Sequence, residues 1–503
     1  MPADGEDTEA DASAGTSPSL LGEIRRLGSQ TLVYGVGGVA LQVVGIITLP
    51  VFARVFSPAD YGVIELGMVL ASISLIVVDG GMGSASQRSF FDHGDDEQGI
   101  RRRILTTALV FQLALGALVA LILSAVAGPL SEALFDGREE PGMLVLIGVT
   151  LPALAIAQFT REVLRLHFRA WSYVAASVAG AVAATAVSIV AVVSWDAGLE
   201  GPFIGILAGA VVGAVYGLAL VWRELTARPS RRELSIMLRF GVPLIPTALS
   251  LWSLTVIDRV MLGRLADLDE LGQYAIAVRI GMPVLLIVTA FAVAFSPFTF
   301  SLYQRDPEHE KRVRGRVLLY LTAVLSGLAL IVGLFAYEIV EIVAPAFDES
   351  FEAVGLVAFG LALFGISGVV VSGISISRQT HWLALYSLIA AVVNIALNFV
   401  LIPPLGQVGA ALATLVAYAV LTALYYHRAQ LVYRTPYRLG AVVGTLALGL
   451  ALVPLGAIEY ENTLLGLAVR FAALVVFVIA LRLTGVVRPE DARRAVAWVR
   501  GSR

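Results

Sequence analysis

Six ionisable side chains stand inside stretches that are otherwise apolar. Arg279 lies about seven residues into the stretch that begins near Gly272, and Asp258 and Arg259 sit side by side near the end of the one before it. Glu65 falls in the first turns of an earlier stretch, Asp79 near the far end of that stretch, and Arg470 within the last one. A charge held in hydrocarbon is costly enough to be a functional candidate by default. Arginine offers a planar, permanently charged fork of donors suited to a carboxylate or a phosphate. On the residues alone, Arg279 either holds an anion, with Arg259 as second candidate, or closes an internal ion pair with Asp258 or Glu65. The two roles coexist if the pair opens when the anion enters. Asp79, followed by Gly80, Gly81 and Gly83, reads either as a helix cap or as a proton or cation coupling site. Arg470 would bind an anion, in the interior or at a lipid headgroup.

The elements that carry these residues must be membrane helices. The 503 residues are 58% hydrophobic and only 15% charged, with a mean hydropathy of +0.85, which excludes a water-soluble fold. Thirty-five basic against 38 acidic residues leave a net charge of −3, and nothing in that balance suggests nucleic acid. The absence of cysteine excludes disulfides, thiolate catalysis and Cys-ligated metal. The five histidines show no HExxH-type spacing. About fourteen stretches of ~20 mostly apolar residues, each long enough to cross a bilayer, follow one another from near Ser29–Ala53 to near Leu464–Leu483. Their backbones must bond internally, so the expected fold is an all-α polytopic membrane protein. Residues 1–28, acidic and rich in small residues, read as a disordered tail. The stretch Arg161–Trp171, basic and aromatic, reads as an interfacial helix.

Basic residues occupy every second connection, among them Arg101–Arg103, Arg161 to Arg169, Arg223 to Arg239, Arg305 to Arg316 and Arg428 to Arg438. The alternate connections hold Glu139, Glu140, Asp196, Asp267, Asp269, Glu270, Asp348 and Glu349. The positive-inside rule then puts both termini in the cytoplasm of a multi-pass protein of the cell membrane. The block from Arg54 to Gly62 recurs from Arg264 to Gly272, displaced by 210, and Gly198-Leu-Glu-Gly201 recurs at Gly406–Gly409, displaced by 208. The expected organisation is therefore a first lobe over residues 29–222, a cytoplasmic linker over 223–241 and a second lobe over 242–427. Two further helices and a basic tail follow over 428–503. An even number of spans per copy gives parallel repeats, the plan of transporters whose lobes rock around a site between them. Arg54 and Arg264 break the charge rule. They are either snorkelling anchors or gate residues, each pairing with an acid of the opposite lobe.

Three segments carry a family resemblance: Ala53–Gly67, Ile257–Gly281 and Ala390–Tyr418. In the last, Asn394 and Asn398 share one helix face, Pro403 ends the helix, and Gly406 and Gly409 permit a tight turn. In these segments the chain resembles the polysaccharide-biosynthesis, or lipid-linked oligosaccharide, flippases of the multidrug/oligosaccharidyl-lipid/polysaccharide exporter superfamily. The resemblance implies two six-helix lobes around a central cavity plus two C-terminal helices. It implies translocation of a polyprenyl-(di)phosphate-linked oligosaccharide from the cytoplasmic to the external leaflet, with no enzymatic step and no cofactor beyond H+ or Na+ coupling. The partners it implies are the lipid-linked glycan, membrane lipids and glycosyltransferases or polymerases of the same pathway. Arg279, Arg259 and Arg470 would then bind the substrate's phosphate, with Asp258, Glu65, Arg54 and Arg264 as gate or ion-pair residues and Asp79 for coupling. A peptidoglycan-precursor flippase or a cation-coupled drug antiporter of the same fold stays open. A glycan polymerase or ligase would need a larger external domain than connections of about 15 residues supply.

Overall fold

The computed structural model of the protein describes residues 47–377, 379, 381–458 and 463–486, and these are helical almost throughout. The acidic tail, most of the first expected span, Arg378 and the C-terminal basic tail lie outside the described residues. Residues 47–55 form α1. There follow α2 (Pro58–Asp79), α3 (Met82–Phe91), α4 (Gln98–Ala125), α5 (Ala127–Leu134), α6 (Pro141–Leu166), α7 (Ala170–Val193) and α8 (Gly201–Val221). Then come α9 (Arg231–Gly241), α10 (Ile245–Leu265), α11 (Leu268–Arg305), α12 (Pro307–Leu334), α13 (Ala336–Val343) and α14 (Phe351–Ile376). The 52-residue α15 (His381–Val432), α16 (Leu439–Leu452) and α17 (Thr463–Leu483) complete the order. Among the described residues, twelve continuous helical segments are long and apolar enough to cross a membrane.

One of the twelve, α15, is a hairpin. Within α15 the backbone reverses at Gly406 (φ 51°, ψ −131°), a conformation that a side chain rarely tolerates. Its two arms run antiparallel: a Cβ on Gly409 would stand 2.2 Å from the Leu401 carbonyl. Lower down, Asn394 Nδ2 donates to Thr414 Oγ1 at 3.2 Å, and Ser387 and Tyr425 share a 3.0 Å hydrogen bond. The turn therefore comes at Gly406, one of the two glycines expected to permit it, while the helix expected to end at Pro403 runs on through it. Gly198, the repeat equivalent before α8, also has φ 51°.

Membrane helices gain little from excluding lipid, so small residues that admit close packing hold them together. In α8, Gly205, Gly209, Gly213 and Gly217 recur every four residues along one face. That face lies on Gly180, Ala184 and Ser188 of α7 and on Ala157 and Thr160 of α6. The interfacial helix expected over Arg161–Trp171 does not form. α6 runs on to Leu166, the chain turns through Phe168 at φ 53°, and α7 begins at Ala170.

The two lobes meet along α2, α10 and α11, and the contact shows the duplication directly. Ser57 caps α2 by accepting from Asp60 N, and Asp267, 210 residues on, caps α11 by accepting from Glu270 N. A Cβ on Gly62 would stand 2.0 Å from the Leu268 carbonyl oxygen, and a Cβ on Gly272 would stand 1.9 Å from that of Pro58. Since Gly272 and Leu268 are the 210-displaced equivalents of Gly62 and Pro58, the contact is reciprocal, as at a two-fold axis. It lies at the acidic end of the bundle, where Asp60 receives Arg138 at 2.8 Å and Glu270 receives the Gln407 backbone N–H at 2.8 Å. Toward the other, basic end, the lobes are bridged by a hydrogen bond from Trp252 Nε1 to Ser72 Oγ (2.8 Å). Beyond it, Leu244, Leu251, Phe298 and Phe300 are exposed.

Candidate functional site

Four of the ionisable residues picked out in the sequence come together just inside the reciprocal glycine contact. α2 contributes Glu65 and Tyr61, α10 contributes Asp258 and Arg259, and α11 contributes Tyr274 and Arg279. Arg259 Nε lies 2.7 Å from Glu65 Oε1, and its Nη1 donates to the Thr255 carbonyl at 2.9 Å. Arg279 Nη2 lies 3.6 Å from the other Glu65 oxygen, and its guanidinium carbon stands 4.7 Å from the centroid of the Tyr61 ring. One carboxylate of the first lobe therefore ties down two cations of the second, so the ion pair between lobes exists with Glu65 as its acid.

The two arginines differ in how firmly they are held. The side chain of Arg259 is 13% exposed and in close contact, whereas that of Arg279 is 26% exposed and only loosely paired. Arg279 is thus the more exposed and the more loosely paired of the two. A ring face and one distant oxygen leave most of its five donors available to a bidentate ligand.

Asp258 is turned into its own lobe. It accepts from Tyr274 OH at 2.6 Å, from Thr414 Oγ1 at 3.3 Å and from the Arg259 backbone N–H at 2.9 Å, while the nearest Arg259 guanidinium nitrogen is 3.9 Å away. Thr414 in turn accepts from Asn394 Nδ2, and Asn394 Oδ1 accepts from Asn398 Nδ2 at 3.2 Å. Both asparagines are fully buried, and Asn398 Oδ1 has no hydrogen-bond partner. The result is a buried column of one carboxylate, one hydroxyl and two amide oxygens between α10 and the arms of α15. Such an oxygen set fits a hard monovalent cation or a proton. Among the described residues, no three His, Cys, Asp or Glu side chains gather as a metal cluster.

The remaining candidates take structural positions. Asp79 accepts from the backbone N–H groups of Gly81 and Gly83, each at 3.2 Å, and from Gln112 Nε2 at 2.9 Å. It joins the end of α2 to the start of α3, the position of the expected cap. Arg470 does not face the lobe interface. It is buried against Glu338 of α13 and donates to the Gly456 carbonyl at 3.1 Å, which fastens α17 to the second lobe. Arg54 and Arg264 are exposed and form no ion pair among the described residues, so neither meets an acid of the opposite lobe.

Sequence reading missed a second buried charge cluster at the basic end. Glu310 and Arg314, both 1% exposed, lie one turn apart on α12 at 3.4 Å. Tyr433 OH donates to Glu310 at 3.0 Å, Arg314 stacks on the Tyr433 ring at 4.7 Å, and Arg314 also donates to Ser372 and Thr435. These bonds anchor the segment that leads from α15 to α16. Apolar windows begin near Val317 and leave the pair among loop charges; the Asp306-Pro307 helix start followed by Glu and Arg at i, i+4 was the available signal. Tyr433, outside the spans, has its pKa raised by burial and by the Glu310 carboxylate.

With this geometry in place, comparison with known proteins adds the following. Residues 51–346 match the family described as polysaccharide biosynthesis protein. None of the curated proteins matches the sequence. Among solved structures, the lipid II flippase MurJ in an inward closed conformation is 14% identical with a TM-score of 0.67, over 88% of this chain and 97% of that one. An inward-facing multidrug resistance MATE family transporter of the MOP superfamily is 15% identical with a TM-score of 0.58, over 83% and 96%. A MOP superfamily transporter from Pyrococcus furiosus, whose binding pocket is described as reversed in polarity, is 15% identical with a TM-score of 0.53, over 84% and 96%. At these identities the likeness is one of fold: two lobes of membrane helices.

Proposed function

For a chain that belongs to the polysaccharide biosynthesis protein family, we propose the function of a flippase that carries a polyprenyl-(di)phosphate-linked oligosaccharide from the cytoplasmic to the external leaflet of the cell membrane. The observation that carries this reading is the loosely held, partly exposed Arg279 beside a firmly locked Arg259–Glu65 pair. Taking a phosphate out of water is the most expensive part of moving such a lipid, and a pre-positioned guanidinium replaces the lost hydration.

The basic end is the cytoplasmic one in this proposal, by the positive-inside rule. A lipid-linked glycan enters from that side, and its phosphate takes Arg279 away from Glu65. The α2–α11 contact then loses one of its two cations, and the equilibrium shifts toward opening of the acidic, external end. The sugars travel between the lobes while the polyprenyl tail stays in lipid. The Asp258, Thr414, Asn394 and Asn398 column holds the coupling H+ or Na+, in place of Asp79.

The test is which leaflet holds the glycan lipid. Cells whose only copy is Arg279→Ala are expected to accumulate it on the cytoplasmic leaflet at normal protein levels, and Arg279→Lys to restore export in part, because an ammonium keeps the charge and loses the fork. Wild-type export by Arg279→Ala contradicts the proposal. Accumulation of a peptidoglycan precursor or a drug in place of an oligosaccharide lipid would move the substrate to that class.

A further inference from the structure

A cavity separate from the lobe interface opens at the basic end of the first lobe. It has a volume of about 610 Å³ and lies between the first turns of α4 and the connection that leads from α8 to α9. Arg102 and Arg103 reach it from α4, and Arg228, Thr226 and Ser230 from the connection. Its walls are fixed: the Ser230 backbone N–H donates to Thr107 Oγ1 at 2.9 Å, and Arg102 Nε lies 3.5 Å from Glu224 Oε2. Arg102 is therefore partly neutralised, although its Nε lacks a hydrogen bond of good geometry. Arg103 and Arg228 are exposed and have no ion pair among the described residues. Three arginines thus line one hollow, and of them only Arg102 is paired with a carboxylate among the described residues, so the hollow keeps a positive charge.

Its surroundings place it at headgroup depth. Trp222, 57% exposed, precedes Glu224 by two residues, and Arg223 stacks on it at 5.5 Å, an arrangement typical of the membrane interface. On the other side of the Arg102–Glu224 pair a second cavity of about 540 Å³ is walled by Phe90, Phe91, Leu166 and Phe168 together with Gln98, Arg101, His167 and Glu224, so it is of mixed polarity.

We propose that the hollow formed by Arg102, Arg103 and Arg228 is a phosphate-binding site for the headgroup of a phosphorylated lipid, distinct from the Arg279 site. Occupancy would bridge α4 to the connection between the lobes, and so bear on the segment through which the second lobe moves against the first. Two charge-assisted contacts would come from Arg103 and Arg228, which have no ion pair among the described residues; Thr226 and Ser230 line the same rim, with the Thr226 hydroxyl donating to the Arg223 carbonyl and the Ser230 hydroxyl accepting from the Glu233 N–H.

The experiment uses the full chain in phosphatidylcholine nanodiscs, with two probes: phosphatidic acid doped into the disc and inorganic pyrophosphate in solution. Native mass spectrometry counts retained lipid, and titration calorimetry follows pyrophosphate. The variant Arg103→Gln/Arg228→Gln is expected to weaken probe binding at the hollow about tenfold or more, as for two lost charge-assisted bonds, while Arg103→Lys/Arg228→Lys recovers most of it and Arg279→Gln, which removes only probe held between the lobes, retains it. Loss confined to phosphatidic acid identifies a lipid headgroup as the source, and loss of pyrophosphate binding as well shows a site that also takes soluble phosphate. Both support the site. Equal binding by wild type and the glutamine variant for both probes overturns it and leaves only a diffuse basic surface. Complete loss in Arg279→Gln overturns it by placing all of the probe between the lobes.

Discussion

Glu65 holds two guanidinium groups at once, so it is the residue on which the closed acidic end depends most. Removing one partner of a buried ion pair leaves the other charge uncompensated, at about 3 kcal/mol or more. Glu65→Gln is therefore expected to shift the lobes toward opening at that end by roughly a hundredfold. Because the chain has no native cysteine, a single cysteine at Leu268, which is buried against Gly62, reports this as faster labelling by a water-soluble maleimide. Unchanged labelling would show that the pair does not hold the gate. At this scale the sequence was partly legible. Apolar stretches give the depth of a charge, which singled out Arg279, Arg259, Asp258 and Glu65. They do not give the direction in which it points, and Arg470, equally deep by that measure, turned out to fasten α17 to Glu338. Tyr274 and Thr414 were invisible, because tyrosine and threonine are unremarkable in a membrane helix until a carboxylate is found opposite them.

Among the elements, α2 and α11 form the joint. Backbone passes over backbone at Gly62 and Gly272, and a methyl group at either position would need to occupy space within about 2 Å of a carbonyl oxygen. Gly62→Ala and Gly272→Ala are expected to wedge the joint in the same way. Each should raise labelling at the acidic end, and the double variant should add little, because residues at one contact do not act independently. Opposite effects of the two would argue against the reciprocal contact. The hairpin of α15 makes a different prediction. Gly406→Ala forces a side chain into a backbone region that glycine alone occupies readily, at about 1–3 kcal/mol, and sets it against Glu270. Its melting temperature should fall, whereas an alanine at Gly440, which meets no neighbour, should change it little. The repeated glycines announced both joints in the sequence. The start of α12 was misplaced, since seven of its first ten residues are Glu, His, Lys or Arg and that stretch of helix rests on the Asp306 cap and the Glu310–Arg314 pair.

The molecule as a whole is two copies of one plan joined along a pseudo-two-fold axis, closed where the copies touch through glycine and Glu65, and linked at the other end through α9. The displacement of 210 made the duplication readable, because gate and cap residues recur in register. The same displacement exposes an asymmetry: the positions equivalent to Glu65, Asp258, Arg259 and Arg279 are Ala275, Thr48, Leu49 and Val69, so all the site's charge but Glu65 belongs to one lobe. That imbalance lets one substrate anion act on the joint from one side. The most direct test places nitroxide pairs at exposed positions, Asp136 with Asp348 at the acidic end and Asp92 with Arg312 at the basic end, in nanodiscs with and without a polyprenyl diphosphate oligosaccharide. The account predicts that the lipid lengthens the first distance and shortens the second, and that Arg279→Ala abolishes both changes. Distances that ignore the lipid, or that respond equally in Arg279→Ala, would contradict it.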